Sequence, residues 1–109
     1  MSDQITFEDF KKVEIRIGKV INCEKVENAD KLLKLTVNFG EFERQIVSGI
    51  AESFTPEELV GKSLPFIVNL EYRKFKGEES QGMLMAIDAK DKTVLLEPSA
   101  EVLEGTEVV

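Results

Sequence analysis

From residue 13 onward the chain alternates. Val13, Ile15 and Ile17 fall on one side of an extended segment and Glu14 and Arg16 on the other, the period of a half-buried strand. Gly18 interrupts the run, which continues to about Cys23, and predicts a bulge or bend that lets one long strand serve both sides of a curled sheet. Past the polar turn "NADK" at 28–31, Leu33, Leu35, Val37 and Phe39 alternate with Lys34, Thr36 and Asn38 in a second strand. The glycine-containing hairpin "NFGEFE" leads into a third, ending near "QIVSG". Leu64, Phe66, Val68 and Leu70 predict the buried face of a fourth strand, and Met83, Met85 and Ile87 predict a fifth. The remainder, "TVLLEPSAEVLEGTEVV", reads as one or two further short strands around a Pro/Ser turn.

Two helical turns punctuate the strands. Thr6 caps one, with Asp9 placed to return a hydrogen bond. In "TPEELVG", Thr55 is the N-cap, Pro56 the first helical residue, Glu58 the closing member of a capping box and Gly61 the stop. The pattern predicts an all-β fold: a five-stranded OB-fold barrel with a short helix between strands 3 and 4 and a C-terminal β extension, an SH3-like or other small barrel being the alternative. The 109 residues predict a single domain, residues 1–109, with a core of about 10–90 and an extension over 91–109. In an OB-fold the face of strands 2 and 3 and the loops joining strands 1 to 2 and 4 to 5 bind ligand, here "VENADKL" and "RKFKGEESQG".

Composition narrows the chemistry. Histidine is absent and Cys23 is the single cysteine, so neither a His-activated nucleophile nor a zinc ligand set can be assembled. No P-loop, GxGxxG or EF-hand spacing occurs, and none of the 21 acids falls in a catalytic motif. The reading is a non-enzyme with no cofactor and no metal. Cys23 is assigned to packing. No apolar run approaches the length of a membrane helix and the first residues lack the pattern of a signal peptide, which predicts a cytoplasmic protein with no membrane partner.

The net charge of −7 argues against a nucleic-acid partner until its distribution is considered. Residues 11–76 hold 12 Lys/Arg against 10 Asp/Glu, and the excess acid lies at the two ends. Arg73, Lys74 and Lys76 crowd into four positions ahead of Gly77, the pattern of a phosphate grip; Glu71, Glu78 and Glu79 flank them, as in a solvated hairpin. Tyr72, beside the basic run, is the aromatic best placed to stack on a base, whereas Phe39, Phe42 and Phe54 read as core. Lys34 and Arg44 stand on strands 2 and 3 as further candidates for RNA contact or as ordinary exposed strand residues.

The segments "VEIRIGKV", "NADKL", "QIVSGI", "TPEELVGK", "NLEYRKFKGEESQGML" and "LLEPSAEVLEGTEV", in this order over nearly the whole chain, resemble the tRNA-binding domain that occurs alone and as an appendage of methionyl-tRNA synthetases, with a chaperone-like CsaA branch. The resemblance implies an OB-fold that binds tRNA with little sequence preference, alone or delivering it to a methionyl-tRNA synthetase, and that forms a homodimer. Its alternative is a CsaA-like chaperone binding unfolded or exported polypeptides. The residues it singles out are Lys31, Asn69, Lys74, Ser80 and Met83. Lys31 and Lys74 would meet phosphates and Ser80 a phosphate or ribose, while Asn69 would point outward between Val68 and Leu70. Met83 would offer a polarizable surface to a base, although its alternation with Met85 favours the core. With the rest of the basic run, the predicted RNA-binding set is Lys31, Asn69, Arg73, Lys74, Lys76, Ser80 and Met83. Relatives often carry His-Pro where this chain has Val26-Glu27, Pro at the position of Tyr72 and basic residues near "IAES", departures that predict weaker RNA binding. The apolar residues of 93–109, with Phe7 and Phe10, predict a two-fold interface.

Overall fold

The computed structural model describes residues 2–109. Its elements run α1 (Phe7–Phe10), β1 (Ile15–Lys25), β2 (Leu33–Asn38), β3 (Glu43–Ser48), α2 (Pro56–Leu59), β4 (Ser63–Ile67), β5 (Arg73–Phe75), β6 (Glu78–Ser80), β7 (Met83–Leu84), β8 (Ala86–Asp88), β9 (Thr93–Leu95) and β10 (Glu107–Val108). The main sheet has the order β3-β2-β1-β4-β7 and is antiparallel throughout. The sheet curls into a half-barrel, the OB-type architecture read from the alternation. None of the helices is long and apolar enough to cross a membrane among the described residues.

β1 makes the curl. Residues 15–19 pair with β4 on one edge, and residues 19–25 pair with β2 on the other. β10 then takes the edge that β2 leaves open, opposite Ile15 and Arg16. The register slips between Val20 and Asn22, so Ile21 is the extra residue of the bulge and lies exposed. The slip is therefore three residues beyond Gly18. Gly18 instead provides clearance. A Cβ there would collide with Val37 Cγ1 and lie 2.6 Å from Phe39 Cε1, so the bare backbone makes room for the core.

Val20, Leu33, Leu35, Val37, Phe39, Ile46, Leu59, Leu64 and Phe66 are fully enclosed. Leu59 reaches them from α2, whose Glu58 carboxylate accepts hydrogen bonds from the Thr55 N–H (2.9 Å) and hydroxyl (3.2 Å), the capping box read from the sequence. Cys23 joins this core, and burial pushes its thiol up to about 11, leaving it protonated at neutral pH. At α1 only half of the cap forms. Thr6 accepts from the Asp9 N–H, but the Asp9 carboxylate pairs with Lys12.

Two strand faces differ from the alternation. β4 ends at Ile67, so Leu70 lies beyond the ladder and exposed. The fifth strand divides into β7 and β8, and its inward residue is Leu84 rather than Met83, Met85 or Ile87. The register explains the inversion. Antiparallel partners share a face, and Leu84 sits opposite the enclosed Phe66 while Met83 sits opposite the half-buried Ile67.

No ladder joins β3 to β6 or β7; one main-chain bond and several side-chain bonds bridge that opening instead. Gln81 N–H donates to Gln45 O (2.8 Å), Gln45 N–H to Gln81 Oε1 (2.9 Å), Gln45 Nε2 to Glu79 O (2.8 Å) and Val47 N–H to Ser80 Oγ (2.9 Å). Unpaired edge groups are thereby satisfied where the barrel would otherwise gape.

Candidate functional site

The basic run forms a β-hairpin. Arg73 pairs with Ser80, Lys74 with Glu79 and Phe75 with Glu78, which leaves Lys76-Gly77 as a two-residue turn. Both turn residues have positive φ, 53° and 84°, the requirement of a type I′ turn whose twist suits the flanking strands. Arg73, Lys74 and Lys76 are all exposed, and none has an ion-pair partner among the described residues. Two of their flanking acids have other contacts. Glu78 pairs with Lys34 (3.4 Å), and Glu79 accepts from Gln81 Nε2 (3.1 Å). The loop that is neutral in composition thus presents three cations without a direct ion pair, with Glu78 drawn away to Lys34 and Glu71 and Glu79 still close in the chain.

Lys31 is also exposed and unpaired among the described residues, in the β1–β2 connection that leads into the Lys34 end of β2; its carbonyl anchors Ala51 N–H. Lys34 is half-buried, held between Glu24 (3.3 Å) and Glu78. The contact with Glu24 and the field of Glu78 raise its pKa, so it is charged at neutral pH but already neutralised locally. It ties the hairpin to the barrel and is not an ordinary exposed strand residue. Arg44 is likewise engaged: Nη1 donates to Val68 O (3.0 Å) and Gln81 O (2.9 Å), and the guanidinium lies over the rings of Phe42 and Tyr72.

The geometry corrects Ser80. Its side chain is 4% exposed, and its hydroxyl accepts from Val47 N–H while donating to Gly82 O (2.9 Å), so no face remains for a phosphate or ribose. Ser80 is buried although its ladder partner Arg73 is exposed, because its hydroxyl meets Val47 of β3 at the unclosed side of the barrel. Asn69 does point outward, yet its amide accepts from Glu14 N–H (2.8 Å) and donates to Lys12 O (2.5 Å), pinning the entry of β1 to the exit of β4. Met83 is exposed, against the core placement that its alternation with Met85 favours and in line with a surface role. Gln45 and Gln81 carry no sequence signal; their importance arises from meeting each other across 36 residues.

We expect Ser80→Ala to destabilise the fold by about 1–3 kcal/mol, because the Val47 N–H is left buried without a partner. Equilibrium denaturation measures this, and a variant as stable as the parent would show the bond to be dispensable. No cluster of three His, Cys, Asp or Glu side chains able to hold a metal ion occurs among the described residues.

Residues 15–107 match the model of the tRNA binding domain family. The chain is 51% identical over 106 residues to the methionine–tRNA ligase of Archaeoglobus fulgidus, covering 97% of itself but 16% of that enzyme. It thus spans about a sixth of the length of the synthetases it matches. A solved methionyl-tRNA-synthetase-related protein from Pyrococcus horikoshii superposes with a TM-score of 0.94 at 42% identity, over 99% of this chain and 100% of that one. The chaperone CsaA of Bacillus anthracis gives 0.89 at 28% identity, over 98% and 100%.

Proposed function

Because the chain belongs to the tRNA-binding domain family, we propose that it binds tRNA through the phosphate backbone, with little dependence on sequence, along the face where the β5–β6 hairpin meets β2 at Lys34. The observation that carries this reading is the set of exposed cations Arg73, Lys74 and Lys76, without an ion pair among the described residues while Glu78 is held by Lys34 of β2. Lys31 supplies a fourth. Met83 adds apolar contact beside them, and Asn69 shapes the surface from behind. The module acts by binding rather than by catalysis, in the cytosol where tRNA is charged, and serves a methionyl-tRNA synthetase. Support for that partner is the identity shared with a segment of such enzymes. Polypeptide binding is the competing reading, favoured by the likeness to the chaperone CsaA.

Titrating labelled bulk tRNA and an unfolded polypeptide in parallel over a range of salt separates the two. With about four phosphates neutralised, log affinity for tRNA should fall against log salt with a slope of about −3, at roughly 0.7 to 0.9 per contact. Binding of the polypeptide with none of tRNA would reverse the assignment.

The domain pairs as a homodimer in this proposal. α1 contributes no residue to the core, and Phe7 is 71% exposed, with Ile5, Phe10 and Val13 also open to solvent. Leu103 in the segment before β10 is bare as well. A second copy burying these residues removes an apolar surface that an isolated domain would keep wet. Phe7→Glu/Phe10→Glu should yield a folded monomer, because neither ring packs in the barrel, and one that melts below the dimeric parent with no dependence on protein concentration. A parent protein that sediments as a monomer at high concentration would rule the dimer out.

A further inference from the structure

Four planar groups form a column from the centre of the barrel to its surface. Phe39 is enclosed in the core, and Phe42 stacks on it with centroids 5.1 Å apart and an interplanar angle of 22°. The Arg44 guanidinium lies over Phe42 at 4.7 Å and over Tyr72 at 5.7 Å. Tyr72 ends the column and is 50% exposed. Arg44 cannot drift within it, since its donors hold two carbonyls, Val68 O and Gln81 O, one on each side of the hairpin. The sequence places Arg44 among the candidate RNA contacts; its Nη1 is committed to the protein and its guanidinium to the rings of Phe42 and Tyr72.

We propose that Tyr72 is a preorganised stacking platform for one unpaired nucleobase, with Arg44 as its positioning residue; the ligand class rests on the tRNA reading above. An exposed tyrosine ordinarily loses rotamer freedom when it stacks, and here Arg44 has already restricted the ring. Arg73, whose guanidinium lies over Phe75 at 5.0 Å, and the exposed Lys74 follow directly in the chain and carry no ion pair among the described residues, so either can hold a phosphate flanking that base. A base added to the outer ring would be the fifth member of the column. Base–aromatic stacking adds affinity without reading sequence, because every base has a π-face. The domain would then require an unpaired nucleotide in its ligand while remaining indifferent to which one.

The test uses a property of the composition. Tyr72 is the only tyrosine and there is no tryptophan, so intrinsic emission reports on this ring alone. Emission should fall saturably with tRNA, at the midpoint given by polarisation of labelled tRNA. It should fall with a single-stranded oligouridylate and stay constant with a blunt RNA duplex. Tyr72→Ala should weaken tRNA binding by about tenfold with an unchanged salt slope, whereas Tyr72→Phe should bind like the parent. Arg44→Lys keeps the charge but loses the planar fork, and should reduce the quenching amplitude while leaving the slope intact. Should that variant prove unfolded by its melting curve, the two Tyr72 variants still decide. Binding of tRNA without quenching, together with Tyr72→Ala binding like the parent, overturns the platform and leaves tRNA binding standing. Failure of tRNA to bind at all overturns both, and quenching by an unfolded polypeptide alone reassigns the ring.

Discussion

Replacing Arg73, Lys74 and Lys76 together by alanine should weaken tRNA binding by about a hundredfold or more at 0.1 M salt and flatten the salt slope from about −3 to about −1. The magnitude follows from counterion release. Each neutralised phosphate contributes roughly 0.7 to 0.9 to the slope, and at 0.1 M salt that is nearly one decade of affinity relative to 1 M, so three contacts amount to more than two decades. Lys74→Ala alone should remove about one contact from the slope and weaken all tRNAs alike, since a phosphate carries no base identity. The fold should not suffer. These side chains are exposed and unpaired among the described residues, and substitutions at such positions change stability by about 0.5 kcal/mol or less. Measuring affinity and slope on the folded triple variant therefore isolates the electrostatic role. If both stay at the parent's values while the parent binds tRNA, the hairpin is a solvated loop and the phosphate contacts lie elsewhere.

Gly18→Val should destabilise the protein by about 3 kcal/mol or more, lowering its melting temperature by roughly 12 °C or beyond for a domain of this size. The new Cβ would overlap Val37 Cγ1 and lie 2.6 Å and 2.9 Å from Phe39 Cε1 and Cζ. Neither neighbour can yield cheaply. Val37 is enclosed, and Phe39 supports both the stacked Phe42 and the edge-on Phe66 at 5.6 Å. Gly49 supplies the contrast. Its added Cβ would meet only Lys31 O at 4.0 Å, with no left-handed backbone to strain, so Gly49→Ala should be neutral or stabilise by up to about 1 kcal/mol. Thermal or urea melts should fall for Gly18→Val and hold or rise for Gly49→Ala; a Gly18→Val protein that melts with the parent would mean that the core is far more compliant than its packing indicates.

The hairpin behind the first of these expectations is legible in a few neighbouring residues, whereas the clearance at Gly18 is not. Clustered cations before a glycine mark a hairpin tip in the sequence itself, because turn geometry and solvation are local properties. Alternation identifies β2 completely and the capping box identifies α2, for the same reason: each depends on residues within a few positions of one another. Gly18, by contrast, reads as a bend because a glycine in a strand has two meanings, flexibility and clearance, and only its neighbours distinguish them. Those neighbours, Val37 and Phe39, lie on or just beyond the next strand.

Local sequence thus specifies most of the strands, the capping box of α2, the exposed basic hairpin and the family that their order betrays. Packing between elements selects which face of β7 meets the core, since Phe66 dictates the orientation of Leu84 through register. Packing likewise turns Ser80 to closing the barrel instead of meeting a ligand, turns Glu78 to Lys34 instead of Lys74, and sets Arg44 against Tyr72. Each of these depends on polar or aromatic groups 28 to 44 residues apart meeting at one point. Periodicity records how a residue relates to its own element; a hydrogen bond or stack between elements exists only once the sheet has curled and brought their edges together.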